Sequence, residues 1–383
     1  MSQIPIGWLQ LKREKLRFGV ALLGISFAVV LIMMQLGFRE AMFKSAVRFH
    51  DALDSDIAIV SRELSFIVQP HSFSNRRLYQ ARGIPGVDSI ASVYLGIGSW
   101  KNPDTHGVRT IFVVGLDPAD HALMLAGVNE QREIIQVEDA VIFDELSRPE
   151  YGRIADHVRA GTPVTAELNH RKLTVAGLFR FGTSFGIDGS VITSDTNFLR
   201  LFPDRQRGII DVGLVRVKPG ESPERVRDAI RAELPADVDV LTRADFAAKE
   251  IAYWDSSTPI GYVFSFGVLV GMIVGGIVVY QILFADVNDH LPEYATLKAM
   301  GYSNSFLAGV VIQQAVILAV LGFLPGVALS LALYRVSSEA TRLPLEMTLE
   351  RTLFVLGLTI AMCMISALMA LRKVRSADPA EVF

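Results

Sequence analysis

The sequence contains a single cysteine and no long run of basic residues. Cys363 alone cannot form an internal disulfide or a cysteine-based metal cluster. It lies in an apolar run, where a small buried side chain packed on another helix is the expected role. There are 37 lysines and arginines against 40 aspartates and glutamates, so the formal net charge is −3. This balance indicates neither a nucleic-acid surface nor an acidic polymer as ligand.

Motifs for nucleotide binding and metal binding are also missing. No G-x-x-x-x-G-K-[ST] segment occurs, so any ATP hydrolysis must come from a partner. The seven histidines show no spacing typical of metal ligands. Residues 182–186 fit G-x-S-x-G, but this nucleophile elbow needs a later histidine, and the only one, His290, is predicted across the membrane. We therefore favour a glycine-rich turn and expect no catalytic, cofactor-binding or metal-binding residue, and no enzyme activity, in this chain.

Long apolar runs dominate what the sequence does contain. Hydrophobic residues make up 51% of the chain, and a membrane helix needs about 20 of them in succession. Four runs free of charged residues meet this requirement: 18–38, 260–285, 306–333 and 353–371. A single charge at a helix centre costs about 2.5 to 3.5 kcal/mol on insertion, so charge-free runs of this length predict four transmembrane helices. A cleaved signal peptide is the alternative for the first run, which is about twice as long as the usual apolar region of such a peptide.

Basic residues near the two termini predict the orientation. Cations crowd both termini, namely Lys12, Arg13, Lys15 and Arg17 at one and Arg372, Lys373 and Arg375 at the other. The positive-inside rule then places both termini in the cytoplasm, including the tail 372–383. The short loops agree less well. The loop 286–305, assigned to the cytoplasm, has only Lys298, whereas the short periplasmic loop 334–352 holds three arginines.

Residues 1–17 have the composition of a helix lying in the membrane interface on the cytoplasmic side. Trp8, Leu9, Leu11 and Leu16 fall on roughly one side of such a helix, interrupted by two lysines whose charged ends can reach the headgroups. An irregular tail is the alternative.

Residues 39–259 form a polar segment that must fold in water, outside the membrane. It contains strand-like runs at 57–60, 89–97, 110–114, 140–143, 164–168, 173–179, 191–193 and 210–217. One clear helix begins with Ser222 as N-cap and Pro223 at its first position. Helical composition at 40–49 and 243–253 predicts stalks that continue the first two spans. The fold class is therefore an α-helical membrane protein with four transmembrane helices and an α+β periplasmic domain inserted between the first two.

Small and polar residues within the spans indicate helix packing. Gly267, Gly271 and Gly275 recur every four residues, so they form one stripe against which another backbone can pack closely. Whether that backbone belongs to a second copy or to another helix of this chain stays open. The only strongly polar side chains in the spans are glutamines, at 35, 281, 313 and 314. With no carboxylate or histidine there, coupling to a proton or sodium gradient has little chemical basis.

The loop 286–305 contains a short helix of its own. Pro292 suits a first helical position and Gly301 a C-terminal cap, so together they frame about two helical turns. Such a short helix needs packing partners to be stable. Glu293 and Lys298 are expected on its exposed face, with Leu297 and Met300 available for burial.

This loop closely resembles a family signature. Residues 293–301, read Glu-Tyr-Ala-Thr-Leu-Lys-Ala-Met-Gly, resemble the E-x-x-x-L-K-A-x-G segment of the FtsX/MacB-type ABC transporter permeases. The ending at 378–382, Asp-Pro-Ala-Glu-Val, is similar to the D-P-x-x-x ending of that family. Residues 8–16 and the fuller loop 290–302 resemble the DevC-like subfamily more narrowly.

The resemblance implies that the chain is one subunit of an assembly in the bacterial inner membrane and performs no chemical reaction itself. Two copies would form a homodimer, and a separate ABC ATPase subunit, which binds ATP and Mg, would dock under the loop helix. The coupling residues carried over are Glu293, Tyr294, Leu297, Lys298, Met300 and Gly301. ATP-driven closure would move the periplasmic domains mechanically, exporting a lipid, glycolipid or other amphiphile with a periplasmic adaptor and a TolC-like outer-membrane channel. The alternatives are a regulatory permease that acts on a periplasmic cell-wall hydrolase and a lipoprotein-releasing permease.

Overall fold

The computed structural model describes residues 15–375 and divides the chain into two compact units. One unit is formed by the chain up to Ala41 and from Pro259 onward, and the other by Met42–Thr258. The expected interfacial helix over 1–17 and the cytoplasmic tail over 372–383 lie almost wholly outside the described residues. The same holds for the sequence signatures at 8–16 and 378–382.

The described residues form twelve α-helices and eleven strands. The helices are α1 Lys15–Ala46, α2 Arg48–Asp51, α3 Arg76–Arg82, α4 Arg132–Gln136, α5 Ile154–Arg159, α6 Asp195–Leu201, α7 Pro223–Glu233, α8 Arg243–Ala252, α9 Pro259–Asp289, α10 Leu291–Ala299, α11 Asn304–Thr341 and α12 Leu349–Arg375. The strands are β1 Ile57–Ser61, β2 Phe73–Ser74, β3 Val87–Lys101, β4 Val108–Leu116, β5 Ala140–Asp144, β6 Val164–Leu168, β7 Arg171–Phe179, β8 Ser190–Ser194, β9 Ile209–Ile210, β10 Val212–Val217 and β11 Val238–Thr242. A π-helical turn, Tyr253–Ser257, separates α8 from α9.

Four helices of the first unit, α1, α9, α11 and α12, are long and apolar enough to cross a membrane. They are longer than the apolar runs that predict them, because each helix continues past the charged residue that ends its run. Helix α1 buries a stripe of small and branched side chains, Ala21, Ile25, Ala28 and Ile32, none of which is more than 1% exposed. The spacing of four, three and four residues keeps this stripe on one helix face.

Glycines let these helices approach closely. A Cβ added to Gly322 of α11 would lie 2.7 Å from Ile25 of α1, and one added to Gly326 would lie 2.8 Å from Val29. Both distances are too short for a real methyl group. Small residues at such contacts are how membrane helices gain packing energy without a hydrophobic driving force between them.

The second unit is built on a nine-stranded sheet in the order β11-β1-β10-β3-β4-β8-β5-β7-β6. The long hairpin β3–β4 runs in antiparallel register from Val93 opposite Leu116 to Lys101 opposite Val108. The end of β3 also pairs with β6, where Trp100 lies opposite Leu168. This extra pairing closes β3, β4, β8, β5, β7 and β6 into a ring, while β10, β1 and β11 extend the sheet outward.

Two apolar cores lie on the two faces of this sheet. Successive residues of β3 alternate between them, with Tyr94 in one core and Val93 and Leu95 in the other, as the two-residue period of a strand requires. Helix α7 begins where the sequence predicts, because the Ser222 hydroxyl accepts a hydrogen bond from the Arg225 N–H. The predicted combination of four membrane helices and an α+β domain is confirmed.

Candidate functional site

Helix α10, between the second and third membrane helices, has defined ends. Pro292 lies in its first turn, and Gly301 follows its C-cap with φ of +93°, a conformation that glycine adopts without steric cost. The Gly301 N–H donates to the Lys298 carbonyl at 3.0 Å, and the Tyr302 N–H donates to the Leu297 carbonyl at 3.1 Å. These two bonds form a Schellman motif, which satisfies carbonyls that the end of the helix leaves free.

The faces of α10 differ strongly in exposure. Tyr294 is only 3% exposed and packs in the apolar core of the membrane unit, with Leu297 half-buried beside it. Glu293 is exposed, Lys298 is partly exposed, and Met300 is 63% exposed. Of the two side chains available for burial, Leu297 is half-buried, and Met300 lies on the open surface of the helix end. The helix therefore has one anchored face and one exposed face, which includes Glu293 and Met300.

Helix α10 is also continuous in hydrogen bonding with α9. The His290 N–H donates to the Asp286 carbonyl at 3.1 Å, and the Tyr294 N–H donates to the His290 carbonyl at 3.0 Å. Both are helical bonds between residues four apart, and they cross the junction of the two helices. The two helices are therefore joined by backbone hydrogen bonds as well as by the chain itself.

A buried polar cluster lies under this junction. Asp286 is 5% exposed, Gln314 of α11 is fully buried, and the Gln314 side-chain N–H donates to the Asp286 carboxylate at 2.8 Å. His290 is 8% exposed, with Nδ1 2.9 Å from the Asp286 carbonyl. This cluster lies just past the predicted span 260–285, because the helix continues beyond that run to Asp289. The spacing 286, 290 and 294 puts three polar side chains on one helix face, and this spacing was the missed signal.

Ion pairs connect α1 to the ends of the neighbouring helices. Arg17 pairs with Asp289 near the α10 end of the bundle. At the other end Arg351, only 7% exposed, pairs with Glu40 and donates to the Tyr334 hydroxyl at 3.1 Å and the Glu346 carbonyl at 3.0 Å. Arg351, one of the three arginines at odds with the predicted orientation, is therefore neutralised by a carboxylate.

The stripe of Gly267, Gly271 and Gly275 packs within this chain. A Cβ on Gly271 would lie 3.0 Å from Ile32 of α1, and one on Gly275 would lie 2.6 Å from the Met362 sulfur of α12. A Cβ on Gly267 would meet the Gln35 amide at 2.6 Å. Of the two possibilities that the sequence leaves open, the structure shows the second: the glycines accommodate neighbouring helices of this chain.

In the second unit, where α2 and α8 meet, a histidine and a glutamate are buried together. His50 of α2 is fully buried, and Glu250 of α8 is 3% exposed, with Nε2 and Oε2 3.7 Å apart. The Glu250 carboxylate accepts hydrogen bonds from the Ile67 N–H and the Trp254 Nε1–H, both at 2.9 Å. Among the described residues, neither ring nitrogen of His50 has a hydrogen-bond partner. Burial raises the pKa of Glu250 to about 7 and lowers the pKa of His50 to about 3.

The G-x-S-x-G segment is a tight turn in the same unit. Gly182 and Gly186 have φ values of +88° and +89°, and the Ser184 N–H donates to the Ile187 carbonyl at 2.8 Å. Strand β8 follows, where the nucleophile elbow needs a helix. The start of the turn is fixed by Arg48 of α2, whose guanidinium donates to the Thr183 carbonyl at 2.8 Å. Within residues 15–375, no group of three metal-binding side chains comes together.

Family models match both parts of the chain. Residues 18–233, more than half of the sequence, match the MacB-like periplasmic core domain, and residues 265–379 match the FtsX-like permease C-terminal domain. No curated protein matches the sequence.

Solved structures of similar domains are also found. The extracellular domain of the noncanonical ABC-type transporter YknZ from Gram-positive bacteria is 10% identical, with a TM-score of 0.34, over 49% of this chain and 98% of that one. The periplasmic region of MacB from Actinobacillus actinomycetemcomitans is 10% identical, with a TM-score of 0.35, over 54% and 96%. A domain of a permease protein from Porphyromonas gingivalis, described as putative, is 15% identical, with a TM-score of 0.32, over 49% and 89%.

The two family models carry the assignment. Permeases of this type function with an ABC ATPase and dimerise. Four apolar helices together with a MacB-like periplasmic domain indicate an inner-membrane protein with that domain in the periplasm. The DevC-like subfamily stays a prediction. The chain belongs to the FtsX/MacB-type family of ABC transporter permeases.

Proposed function

We propose that this permease exports an amphiphile by mechanical transmission. A separate ATPase subunit docks on α10, and its ATP-driven closure moves the membrane helices and, through them, the periplasmic domain. In this proposal the chain is not an enzyme, and ATP and Mg are bound by the ATPase. The observation that carries the proposal is the two-sided character of α10, which is anchored through Tyr294 and Leu297 and open at Glu293 and Met300.

The first link of this mechanism lies in helix α10. A helix of nine residues is too short to be stable alone, so its position is set by what it packs on. Its hydrogen bonds continue into α9 through His290, and Tyr294 packs into the membrane core. A push on the exposed face is therefore delivered to α9 as a movement of the whole helix.

The second link is the covalent path to the periplasmic domain. Helix α1 runs without a break from Lys15 to Ala46, while α9 follows the π-helical turn Tyr253–Ser257. Within the periplasmic unit, α2 and α8 meet at the buried pair of His50 and Glu250. The ends of the two connections are thus packed against each other inside the domain.

Partners and substrate complete the proposal. Two copies and two ATPases would work with a periplasmic adaptor and a TolC-like outer-membrane channel, with both termini in the cytoplasm. Buried polar side chains of the described spans bond within the bundle, as Gln314 does to Asp286 and Ser26 to the Gly322 carbonyl. A lipid, glycolipid or other amphiphile moved outside the membrane helices fits that arrangement.

The test is co-expression with the ATPase and adaptor encoded nearest to the chain, followed by complex composition and ATPase rate. Recovery of two permeases, two ATPases and adaptor, with adaptor-dependent ATPase activity, is the expected result. Glu293→Lys and Leu297→Pro should abolish ATPase binding, whereas Glu339→Lys, an exposed glutamate near the opposite end of α11, should not. A complex with a cell-wall hydrolase in place of the adaptor would support the regulatory function instead, and unchanged binding by the α10 variants would refute docking there.

A further inference from the structure

Asp286 is a carboxylate that the membrane unit buries at the junction of α9 and α10. It lies inside a helix apolar enough to span the membrane and is only 5% exposed. Ionisable side chains in membrane helices are costly, so they persist where they pair with a partner and serve a function. The partner here is the Gln314 side chain, which reaches from α11 and donates to the carboxylate at 2.8 Å.

The position of this hydrogen bond matters because α9 and α11 touch each other directly at few points. Each of the two helices packs instead on α12 and on α1, where Gly271 of α9 meets Ile32 and Gly322 of α11 meets Ile25. The bond between Asp286 and Gln314 is thus a direct link between the second and third membrane helices. It lies one helical turn before His290, where the helical hydrogen bonds pass into α10.

The same helix face carries the link onward to α10. His290 Nδ1 lies 2.9 Å from the Asp286 carbonyl and 3.6 Å from its carboxylate Oδ1. Tyr294, one turn later, is 3% exposed in the apolar core. Three successive turns of helix thus keep their polar side chains on the buried side, away from the surface that carries Glu293 and Met300.

We propose that Asp286 and Gln314 are positioning residues that lock α10 and α9 to α11, so that a movement of α10 drives both membrane helices together. The inference rests on the proposed function and specifies how its first step is transmitted. With the bond present, a displacement of α10 is shared by α9 and α11. Without it, α10 still presents its docking face, but the displacement is absorbed between the two helices.

The test separates docking from transmission. Asp286→Leu and Gln314→Leu each remove the bond while leaving the exposed face of α10 intact. The double variant Asp286→Asn with Gln314→Glu exchanges the donor and acceptor chemistry and preserves the combined side-chain length. Gln313→Leu, at the exposed neighbouring glutamine, is the matched control. Each full-length variant is reconstituted in nanodiscs with the ATPase.

Two readouts are measured. The first is ATPase binding together with permease-dependent stimulation of ATP hydrolysis, and the second is hydrogen exchange of residues 291–302 in the permease alone. We expect the leucine variants to bind the ATPase like wild type and to lose about tenfold in stimulation, the effect of one charge-assisted hydrogen bond. Exchange in 291–302 should rise in both leucine variants. The exchanged pair should restore both readouts, and Gln313→Leu should change neither.

Three results would overturn the inference. Unchanged stimulation in the leucine variants, with or without faster exchange, would leave the bond a local structural contact. Failure of the exchanged pair to restore stimulation, in a variant that unfolds at the wild-type temperature, would also contradict it. If wild type itself does not bind the ATPase, the proposed function fails and the inference fails with it, an outcome visible before any variant is compared.

Discussion

The buried pair of His50 and Glu250 in the periplasmic domain predicts a specific dependence of stability on pH. Glu250 loses most of its hydration and keeps two hydrogen bonds, which offset only part of the cost of its charge. Within residues 15–375 the nearby cations are engaged elsewhere, since Lys249 pairs with Asp239 at 2.8 Å and Arg48 donates to the Thr183 carbonyl. His50, the titratable group that faces the carboxylate, is itself held neutral by burial.

The direction of the effect follows from proton binding. Glu250 has a pKa of about 7 in the folded protein against an ordinary value of 4.5, so its contribution to stability is full below pH 4.5 and is lost as the pH rises through 7. His50 has a pKa of about 3 against an ordinary 6.5, so its contribution is full above pH 6.5 and is lost as the pH falls toward 3. Between pH 4.5 and 6.5 the two contributions to the unfolding free energy change with pH in opposite directions. Together they leave the unfolding free energy of the wild type nearly constant over this range.

Replacing the glutamate separates the two contributions. Glu250→Gln removes the group that loses stability with rising pH and leaves the histidine. The difference between a pKa of about 7 in the folded protein and the ordinary value of 4.5 corresponds to about 3 kcal/mol. The unfolding free energy of the variant should therefore rise by up to that amount relative to wild type between pH 4.5 and 7.5. For a domain of this size, that is a relative change of about 6 to 12 °C in unfolding temperature.

The assay is thermal unfolding of the full chain in detergent, followed by tryptophan fluorescence at several pH values. Trp254 donates directly to Glu250, so its emission reports on this site. Glu63→Gln is the matched control, since it removes a carboxylate from an exposed position. A Glu250→Gln curve parallel to wild type across this pH range, with the control also parallel, would refute the argument from burial.

Three further outcomes follow from the membrane unit. Gly275→Leu should lower the unfolding temperature by the equivalent of about 1 to 3 kcal/mol, because any side chain there meets Met362, whereas Gly357→Leu, where a Cβ meets nothing within 4 Å, should have little effect. Gly301→Ala, at φ +93°, should cost about 1 kcal/mol and increase hydrogen exchange at the end of α10; equal exchange in both proteins would contradict the cap. Glu40→Ala should lower the unfolding free energy by about 2 kcal/mol, because buried Arg351 then lacks its carboxylate. Adding Arg351→Ala to that variant should lower it little further. Additive losses in a double-mutant cycle would show that the two residues are not coupled.

The membrane helices follow from the sequence, but their lengths and partners do not. The absence of charged residues predicts a membrane span at 18–38. Helix α1 nevertheless continues through Arg39 and Glu40 to Ala46. Hydropathy predicts which residues can lie in lipid. It does not predict helical turns that are stabilised by protein contacts, such as the ion pair of Glu40 with Arg351. The stripe at Gly267 is equally readable as a face, but which backbone fills it depends on tertiary packing.

In the periplasmic domain, strands with a continuous or alternating apolar pattern were predicted close to their observed bounds. Strand β6 lies at Val164–Leu168 as predicted, while β3 extends to Val87–Lys101 because its hairpin partner continues beyond the apolar run. Strand β11, Val238–Thr242, was missed, since its alternation includes Asp239 and covers only five residues.

At the candidate site, the sequence predicted the helix and not its anchor. Pro292 and Gly301 determine the two ends locally, so both are visible without a fold. Asp286 was assigned to the loop because a carboxylate ends an apolar run. Its burial depends on Gln314, which lies 28 residues away and becomes a neighbour only when α9 and α11 fold together.

The two chain segments that join the membrane helices to the periplasmic domain differ in stiffness. The first segment is α1, an unbroken α-helix of 32 residues and about 48 Å. Its continuous backbone hydrogen bonds resist bending. The returning segment contains the π-helical turn Tyr253–Ser257 and then the extended residue Thr258 before α9 begins at Pro259, so regular α-helical bonding is interrupted there. The periplasmic domain is therefore held by one stiff connection and one compliant connection.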